Sequence, residues 1–324
     1  MSQALSALSV GATIELPVKS AFQSILGQTL VFKVADKNHT GYPANSVTLI
    51  TDKIIALLAF DAKEPSNSNA DRQNYGNNRY SYANLLQWMN SNAAAGSWYS
   101  AKHAADATPN AAGVSVNPYN TWAGLLAMLD DNFVAALMNT TQTVVLNTVT
   151  DGGSYETVTS KMFLASTTEV GLANENSIAE GSKFALFSDD TSRLAYCTQA
   201  AIDTSQYASD PTTSAAWYYW LRTPIASNSR YVRFVGTSGA LNGNYAFYGH
   251  YGVRPLCNLE SGILVSDSVN ANGNYEFVWN TAPNIPVHFG GAWKNSTPFV
   301  KQDGTWKPVT NAYAKQSGTW KETV

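Results

Sequence analysis

Short apolar segments separated by turn residues make up residues 8–60. The segments IELPV, TLVFKVAD and SVTLITDKIIALLAF are rich in β-branched and aliphatic residues, and Gly27, Gly41 and Pro43 separate them. Runs of this length bounded by Gly and Pro are typical of strands. The segments TVVLNTVT and TSKMFLASTTEVG, farther along the chain, have the same character. We therefore expect strands in these regions too.

Two segments have the spacing of a helix. In residues 81–91 the apolar side chains fall on one helical face, and they are Tyr82, Leu85, Leu86 and Met89. Ser81 is the expected N-cap of this helix. Residues 121–138 repeat the spacing and predict a second helix. Because the two helices interrupt strands without a regular βαβ alternation, the predicted fold class is α+β, a twisted antiparallel sheet flanked by two helices.

Two further stretches indicate how the chain is organised. Residues 62–80 are polar and rich in turn residues, which predicts a surface loop. After residue 258 the character changes, with a hairpin expected at Asn272 and Gly273. The sequence FVKQDGTWK (299–307) then recurs as YAKQSGTWK (313–321), with a weaker copy at GAWK. Such short units cannot bury their own Trp, so we expect them to stack. We predict one domain over 1–258 and a β-rich appendage over 259–324.

The composition favours a β-rich, loop-rich protein that is exposed to the extracellular environment. Charged residues make up 13% of the chain, whereas about a quarter is usual. Aromatic residues reach 12%, with 9 Trp and 17 Tyr. The net charge is −3 and Lys and Arg are dispersed, so a nucleic-acid footprint is not expected.

The apolar segments, the first 20 residues and the cysteines indicate where the protein is made and what chemistry it lacks. No window of 18 apolar residues predicts a membrane span, and the first 20 residues lack the basic and apolar regions of a secretory signal. Cys197 and Cys257 form neither a disulfide framework nor a CxxC metal pair, and we expect two buried free thiols. Synthesis in a reducing cytoplasm followed by exposure outside the cell fits these features.

Residues 217–257 read WYYWLRTPIASNSRYVRFVGTSGALNGNYAFYGHYGVRPLC, and each end of this stretch is bulky and stiff. The first end, WYYWLRTP, is a dense aromatic strand that Pro224 stops, and the second, YGVRP, repeats the pattern. We call these two ends the frames; their scaffold residues are Trp220, Arg222, Pro224, Arg254 and Pro255. An Arg among aromatic residues needs a buried or stacked partner, so we expect both arginines to bind carbonyl groups and lock loops.

Small polar residues and aromatics fill the space between the frames. If ALNGNYAFYGHY is extended, alternate residues share a face. One face would then carry Asn242, Asn244, Ala246, Tyr248 and His250, and the other Tyr245, Phe247 and Tyr251. Tyr, Ser, Gly, Asn and Arg are residues that binding loops favour. The alternative is an ordinary loop, rich in Gly and Asn, with surface aromatics.

The motifs WLRTP and GVRP, with KMFLASTTEVG upstream, resemble the C-type-lectin-like domains related to the formylglycine-generating enzyme. More narrowly, they resemble the variable proteins of diversity-generating retroelements in phage and prophage tails. The resemblance covers residues 8–258, and the GTWK repeats are similar to phage tail-fibre modules. It implies a lectin-like fold whose binding surface is rewritten by adenine-directed mutagenesis.

The resemblance also implies which residues bind the ligand. The variable surface would contain Ser227, Asn228, Ser229, Tyr231, Arg233, Asn242, Asn244, Tyr245, Phe247, Tyr248 and His250. Mutation of the adenines in Asn codons cannot produce Lys, Glu, Gln, Met or Trp, and residues 226–252 contain none of these five. The implied partners are a bacterial surface receptor, protein or glycan, and other tail proteins in the virion, and trimers occur among tail-tip relatives.

The chain departs from sugar-binding lectins because it lacks the EPN, QPD and WND tripeptides that would hold Ca²⁺ and a sugar. We therefore expect no metal, no cofactor and no catalytic residue. One alternative is a thiol-based enzyme of the formylglycine-generating type, although both cysteines lie in apolar sequence and the four histidines are scattered. The other alternative is a structural tail protein with a fixed surface.

Overall fold

A computed structural model describes residues 2–207, 209 and 211–279 in full, together with the backbone of six strands between 285 and 322. The chain divides into two compact units, Met1–Phe277 and Val278–Val324. Residues 259–277 still belong to the first unit, because two strands in this segment, Leu264–Ser266 and Tyr275–Glu276, pair with strands near the amino terminus. The boundary therefore lies later than the expected position at 258.

Strands dominate the first unit. They are β1 (Ser2–Ala4), β2 (Thr13–Pro17), β3 (Thr29–Lys37), β4 (Ser46–Thr51), β5 (Ala56–Leu57), β6 (Thr140–Val145), β7 (Tyr155–Ser160), β8 (Met162–Phe163), β9 (Ala195–Tyr196), β10 (Ala216–Trp217), β11 (Tyr219–Pro224), β12 (Tyr231–Val235), β13 (Leu241–Tyr245), β14 (Gly252–Val253), β15 (Leu256–Glu260), β16 (Leu264–Ser266) and β17 (Tyr275–Glu276).

The helices of the described residues are short. They are α1 (Gln23–Leu26), α2 (Ala70–Tyr75), α3 (Asn84–Met89), α4 (Leu125–Met128), α5 (Asp131–Ala136), α6 (Asp190–Arg193) and α7 (Gln199–Asp203). None of the helices in this part of the chain is long and apolar enough to cross a membrane. The protein is an α+β protein that consists mostly of sheet.

Two sheets organise the first unit. One has six strands in the order β17-β2-β3-β4-β15-β8, and the other has five in the order β13-β12-β11-β14-β5. Most pairs are antiparallel, but β17 with β2 and β11 with β14 are parallel. One buried apolar cluster contains Ile50 and Leu256 of the larger sheet and Leu57, Leu221 and Val235 of the smaller one. This cluster joins the two sheets.

The predicted strands IELPV and TLVFKVAD are confirmed, whereas SVTLITDKIIALLAF contains two separate strands, β4 and β5, and burial explains these patterns. Along β3 the residues Leu30, Phe32 and Val34 are buried and alternate with half-buried positions, as expected for a strand with one face in the core. All six residues of β4 are buried, because this strand lies between β3 and β15 near the centre of its sheet. The expected turn at Asn272 and Gly273 is also present, with an antiparallel bridge from Val265 to Phe277.

The helix predictions need correction. The predicted helix at 81–91 begins only at Asn84, and Ser81 lies in a preceding 3₁₀ turn rather than at the N-cap. The predicted helix at 121–138 is two helices, α4 and α5. Leu129 is extended between them and pairs with Val18, and the Asp130 carboxylate caps α5 by accepting from two backbone N–H groups. A strand pairing therefore overrides the helical periodicity.

The predicted surface loop at 62–80 is only partly exposed. It contains α2, and Glu64, Arg72, Asn77 and Asn78 are buried. The polar sequence therefore reflects a buried hydrogen-bond network as well as exposure to water. For example, the side-chain amide of Asn78 donates to the carbonyls of Asn228 and Tyr231, at 2.8 and 3.1 Å.

The second unit contains three antiparallel hairpins. Their strands are β18 (Ile285–Phe289), β19 (Ala292–Ser296), β20 (Phe299–Gln302), β21 (Thr305–Pro308), β22 (Tyr313–Gln316) and β23 (Thr319–Glu322). Each copy of the repeat is thus one hairpin with Trp-Lys on its second strand. The expected stacking of the Trp side chains lies outside the described residues.

Candidate functional site

The edge of the five-stranded sheet carries the first part of the candidate site. Tyr231 of β12 lies opposite Tyr245 of β13, and their ring centroids are 4.7 Å apart. Tyr231 and Arg233 share one face of β12, whereas Val232 and Phe234 point to the other, buried face. The alternation of β12 therefore presents Tyr231 outward while Val232 anchors the strand.

The predicted division of ALNGNYAFYGHY into two faces holds only along β13. The extended strand ends at Tyr245, and turns follow as far as Tyr251. Ala246 is buried, and Tyr248 turns back so that its ring lies 5.4 Å from that of Tyr245. Asn244 donates to the Tyr251 hydroxyl, although the extended reading placed these two residues on opposite sides. The turns bring onto one side aromatic rings that a strand would have separated.

Half-buried rings form a continuous surface here, which we call the aromatic surface. Its members are Tyr75, Tyr207, Tyr231, Tyr245, Phe247, Tyr248 and His250. Tyr75 stacks on Tyr245 at 4.3 Å, and at the other end His250 stacks on Tyr207 at 4.4 Å. Tyr248 connects the two ends, with its ring 4.8 Å from Phe247 and 5.1 Å from His250. A ligand could thus contact several rings at once.

Three contributors to this surface were not found from the sequence. Tyr75 ends α2, in the stretch predicted to be a loop, and Tyr207 follows α7. The guanidinium of Arg230 lies over the rings of Tyr75, Tyr231 and Tyr245, at 5.1, 5.2 and 5.4 Å, and pairs with Asp71. The only sequence signal for Tyr75 was an aromatic residue just before a Gly in a polar stretch.

Backbone groups of the surrounding scaffold hold this segment in place. The carbonyl of Ala246 accepts from the backbone N–H groups of Phe60 and Asp61, at 2.9 and 3.1 Å. The N–H of Phe247 donates to the carbonyl of Tyr75 at 3.0 Å, and its carbonyl accepts from the N–H of Ser115 at 3.0 Å. Such bonds do not depend on which side chain the segment carries.

Two glycines allow this close approach. At Gly249 a Cβ atom would lie 1.9 Å from the carbonyl oxygen of Val116. Gly76 has φ of +79°, and a Cβ there would lie 2.6 Å from the carbonyl oxygen of Asp61. Only glycine fits at either position without a backbone shift.

Electrostatics distinguish His250 from an exposed histidine. Burial lowers the pKa of His250 to about 4, so the imidazole is neutral at pH 7. Its carbonyl accepts from the indole N–H of Trp217 at 2.9 Å, which ties this end of the aromatic surface to the first frame. The surface is therefore mainly uncharged, with Arg230 as a paired cation.

The predicted ligand residues do not all lie on this surface. Tyr231, Tyr245, Phe247, Tyr248 and His250 come together there. Ser227 and Asn242 are exposed but belong to a turn and to β13.

The remaining predicted residues have contacts of their own. Ser229 is fully buried and donates to Asn69, so the structure places it in the interior rather than on a surface. The side-chain Oδ1 of Asn228 accepts from the backbone N–H of Tyr231 at 2.7 Å, which shapes the turn. Arg233 pairs with Glu175, with Nε 2.6 Å from Oε1.

Both frames match the expectation for their arginines. Arg222 is fully buried, pairs with Glu169 and donates to the carbonyl groups of Leu164 and Glu180 at 2.9 and 2.8 Å. Arg254 is 3% exposed and donates to the carbonyl of Thr51 at 2.9 Å. The two arginines therefore join both ends of residues 217–257 to neighbouring parts of the scaffold.

The cysteines are both buried and free, as expected. Burial raises the pKa of the Cys197 thiol to about 12 and raises that of Cys257 further above its ordinary value. Neither thiol is thus prepared to ionise near neutral pH.

These features define an α+β protein, mostly sheet, whose five-stranded sheet displays one continuous aromatic surface between two arginine-locked frames. The family model described as "Domain of unknown function (DUF6273)" matches residues 45–261, more than half of the chain, and the chain belongs to this family. The matched region contains both frames and the whole aromatic surface. Comparison with curated proteins finds no match. Comparison with solved structures finds none either.

Proposed function

We propose that this protein is a non-enzymatic binding protein of a phage or prophage tail, with a C-type-lectin-like fold, that recognises a molecule on the bacterial surface. The observation that carries the proposal is that, in residues 226–251, the backbone makes the contacts that hold the segment and a group of aromatic side chains is left accessible. Backbone bonds and the two frames hold the segment, while those of its rings that belong to the aromatic surface remain half-exposed and lie against one another. Side chains in such a position can change without loss of the fold.

The chemistry of the aromatic surface supports binding. Tyr and Phe supply large contact areas at low cost in conformational entropy, and a few such anchors carry most of the energy in many interfaces. Affinity at one site need not be high, because several copies on one tail raise the effective binding by about 10²-fold or more. The raised thiol pKa values of Cys197 and Cys257 argue against the alternative of thiol-based oxidation.

Sequencing of codons 217–258 in a population that carries this gene tests the diversification. Substitutions confined to adenine positions between Ala226 and Tyr251, with both frames unchanged and a template copy nearby, are the expected result. A uniform segment would favour the alternative of a structural tail protein with a fixed surface. The three successive hairpins between residues 285 and 322 are the observation that favours this alternative.

Binding itself is tested with a fluorescent, multivalent form of the chain on a panel of intact bacterial cells. We expect saturable binding to a subset of strains, lost on treatment of the cells with either a protease or a glycosidase, which would also identify the class of the receptor. Equal binding to every strain, unaffected by changes to the aromatic surface, would contradict the proposal.

A further inference from the structure

A second group of polar side chains lies away from the exposed rings, where two loops meet. Glu64 belongs to the loop before α2, and His103 and Asp106 belong to the long loop between α3 and α4. One ligand atom from each of the three residues lies within 4.8 Å of the others. The His103 Nε2 atom is 2.9 Å from Glu64 Oε1, and Nδ1 is 3.7 Å from Asp106 Oδ2.

The second observation is an unpartnered buried atom. The Asp106 side chain is 1% exposed, and its Oδ2 accepts from the backbone N–H of Lys102 at 2.7 Å. Its Oδ1 atom has no hydrogen-bond partner among the described residues, and neither ring nitrogen of His103 makes a well-directed hydrogen bond there. Buried carboxylate and imidazole atoms are almost always hydrogen-bonded in folded proteins, so these atoms require a partner of another kind.

The charge around the cluster points the same way. Asp61 is also buried and belongs to the same network, because its carboxylate accepts from the backbone N–H of Asn77 at 3.0 Å and the side-chain amide of Asn77 donates to Glu64 at 3.1 Å. Three carboxylates held together in the interior repel one another, and a bound cation would relieve that repulsion.

We propose that Glu64, His103 and Asp106 bind one divalent transition-metal ion, for which Zn²⁺ is the natural probe. One imidazole with two carboxylates is a common ligand set for such ions, with metal–ligand distances of about 2.0–2.2 Å. Tetrahedral ligands at those distances lie about 3.4 Å apart, and the three ligand atoms lie within 4.8 Å of one another, so side-chain rotations would have to close them by up to about 1.4 Å. No metal was expected from the sequence, because it lacks the EPN, QPD and WND tripeptides that would hold Ca²⁺ and a sugar.

The ion would stabilise the loop that leads into α2, and through α2 it would support the aromatic surface. The loop of Glu64 continues into α2, which Asn69 caps and which ends at Tyr75. The ammonium group of the adjacent Lys63 lies 4.9 Å above the ring of Phe247. The metal would thus fasten this loop to the 103–106 loop, and it would not contact a ligand itself. This proposal is independent of the proposed function.

The test uses the full chain, free of any histidine tag and stripped with a chelator. Zn²⁺ and Mn²⁺ are titrated separately by calorimetry, and the melting temperature is measured with and without each metal. We expect one equivalent of at least one metal to bind and to raise the melting temperature. Asp106→Asn and His103→Gln should each weaken binding at least tenfold, and Glu64→Gln serves as a further variant.

A matched control is available in the same chain. His39 and Asp36 have the same spacing as His103 and Asp106 and lie 2.8 Å apart, but they are not part of a three-ligand group among the described residues. Asp36→Asn should leave metal binding unchanged. A folded parent chain that binds neither metal would overturn the proposal, and so would a folded Asp106→Asn variant with the parent's affinity.

Discussion

The guanidinium of Arg222 and the carboxylate of Glu169 form a bidentate ion pair, with Nη1–Oε2 and Nη2–Oε1 distances of 2.6 and 2.9 Å. Both side chains are fully buried. The pair joins β11 to the loop that follows β8. Because the remaining donors of Arg222 bind carbonyl oxygens, the buried charge is fully compensated. The first frame is therefore a rigid boundary for the segment that follows.

Removal of one partner of this pair should be strongly destabilising. In Glu169→Gln the buried charge of Arg222 loses its counter-ion, and we expect unfolding in urea to show a loss of about 3–5 kcal/mol. The matched control is Glu156→Gln, since Glu156 pairs with Arg79 at 2.6 Å but both side chains are partly exposed, 18% and 24%. The control should lose no more than about 1 kcal/mol. Similar losses in both variants would contradict the role given to the frame.

The aromatic surface should matter for binding rather than for stability. Tyr248→Ala and Tyr245→Ala should each weaken cell binding about tenfold or more, with the melting temperature nearly unchanged, because both rings are half-exposed. The comparison variant is Tyr155→Ala on β7, where the side chain is 57% exposed and lies outside the aromatic surface. If Tyr155→Ala weakens binding as much as the other two, the surface has been misplaced.

Gly249 should not tolerate even one methyl group. In Gly249→Ala the new Cβ would lie 1.9 Å from the carbonyl oxygen of Val116, so one backbone segment must move. We expect a loss of about 2 kcal/mol or more in the free energy of unfolding, with weaker ligand binding because the turn carries Tyr248 and His250. Gly262→Ala is the control, since nothing lies within 4 Å of its Cβ position. A Gly249→Ala variant as stable as Gly262→Ala would disprove the close approach.

His250 should make stability depend on pH below neutrality. Burial lowers its pKa from 6.5 to about 4 in the folded state, so the unfolded chain binds more protons between these values. The contribution of the neutral His250 imidazole to the free energy of unfolding is thus fully present above pH 6.5 and is lost as the pH falls towards 4. We expect His250→Gln to lose less stability than the parent between pH 7 and pH 4 in urea unfolding. Parallel pH profiles for the two proteins would show that His250 is not held neutral.

The frames were predictable because their signal is local. Arg222 and Arg254 stand among aromatic residues and next to Pro, so the sequence alone indicated buried guanidinium groups that bind carbonyls. The identity of the partner was not predictable. Glu169 lies 53 residues away from Arg222 along the chain and reaches it only because the loop after β8 packs against β11.

Local periodicity also had limits. Leu129 continues the helical pattern of 121–138, but its bridge to Val18 ends α4, and this competing pairing comes from a distant segment. In the same way, the polar residues of 62–80 indicated exposure, whereas Glu64 and Asn77 hydrogen-bond each other in the interior, at 3.1 Å. A polar sequence predicts a need for hydrogen bonds, and water is only one way to supply them.

The sequence by itself determined the strands β2, β3 and β4, the α+β class, the buried thiols and the buried arginines of the two frames. These properties follow from the alternation and composition of neighbouring residues, which act within one element. The tertiary structure alone decided which rings meet. Tyr75 and Tyr245 stack although 170 residues separate them, because the chain turns at Tyr245 and packs against the end of α2. Glu64, His103 and Asp106 likewise meet only in the fold, since contacts between loops depend on strand order, and the order β13-β12-β11-β14-β5 does not follow the chain.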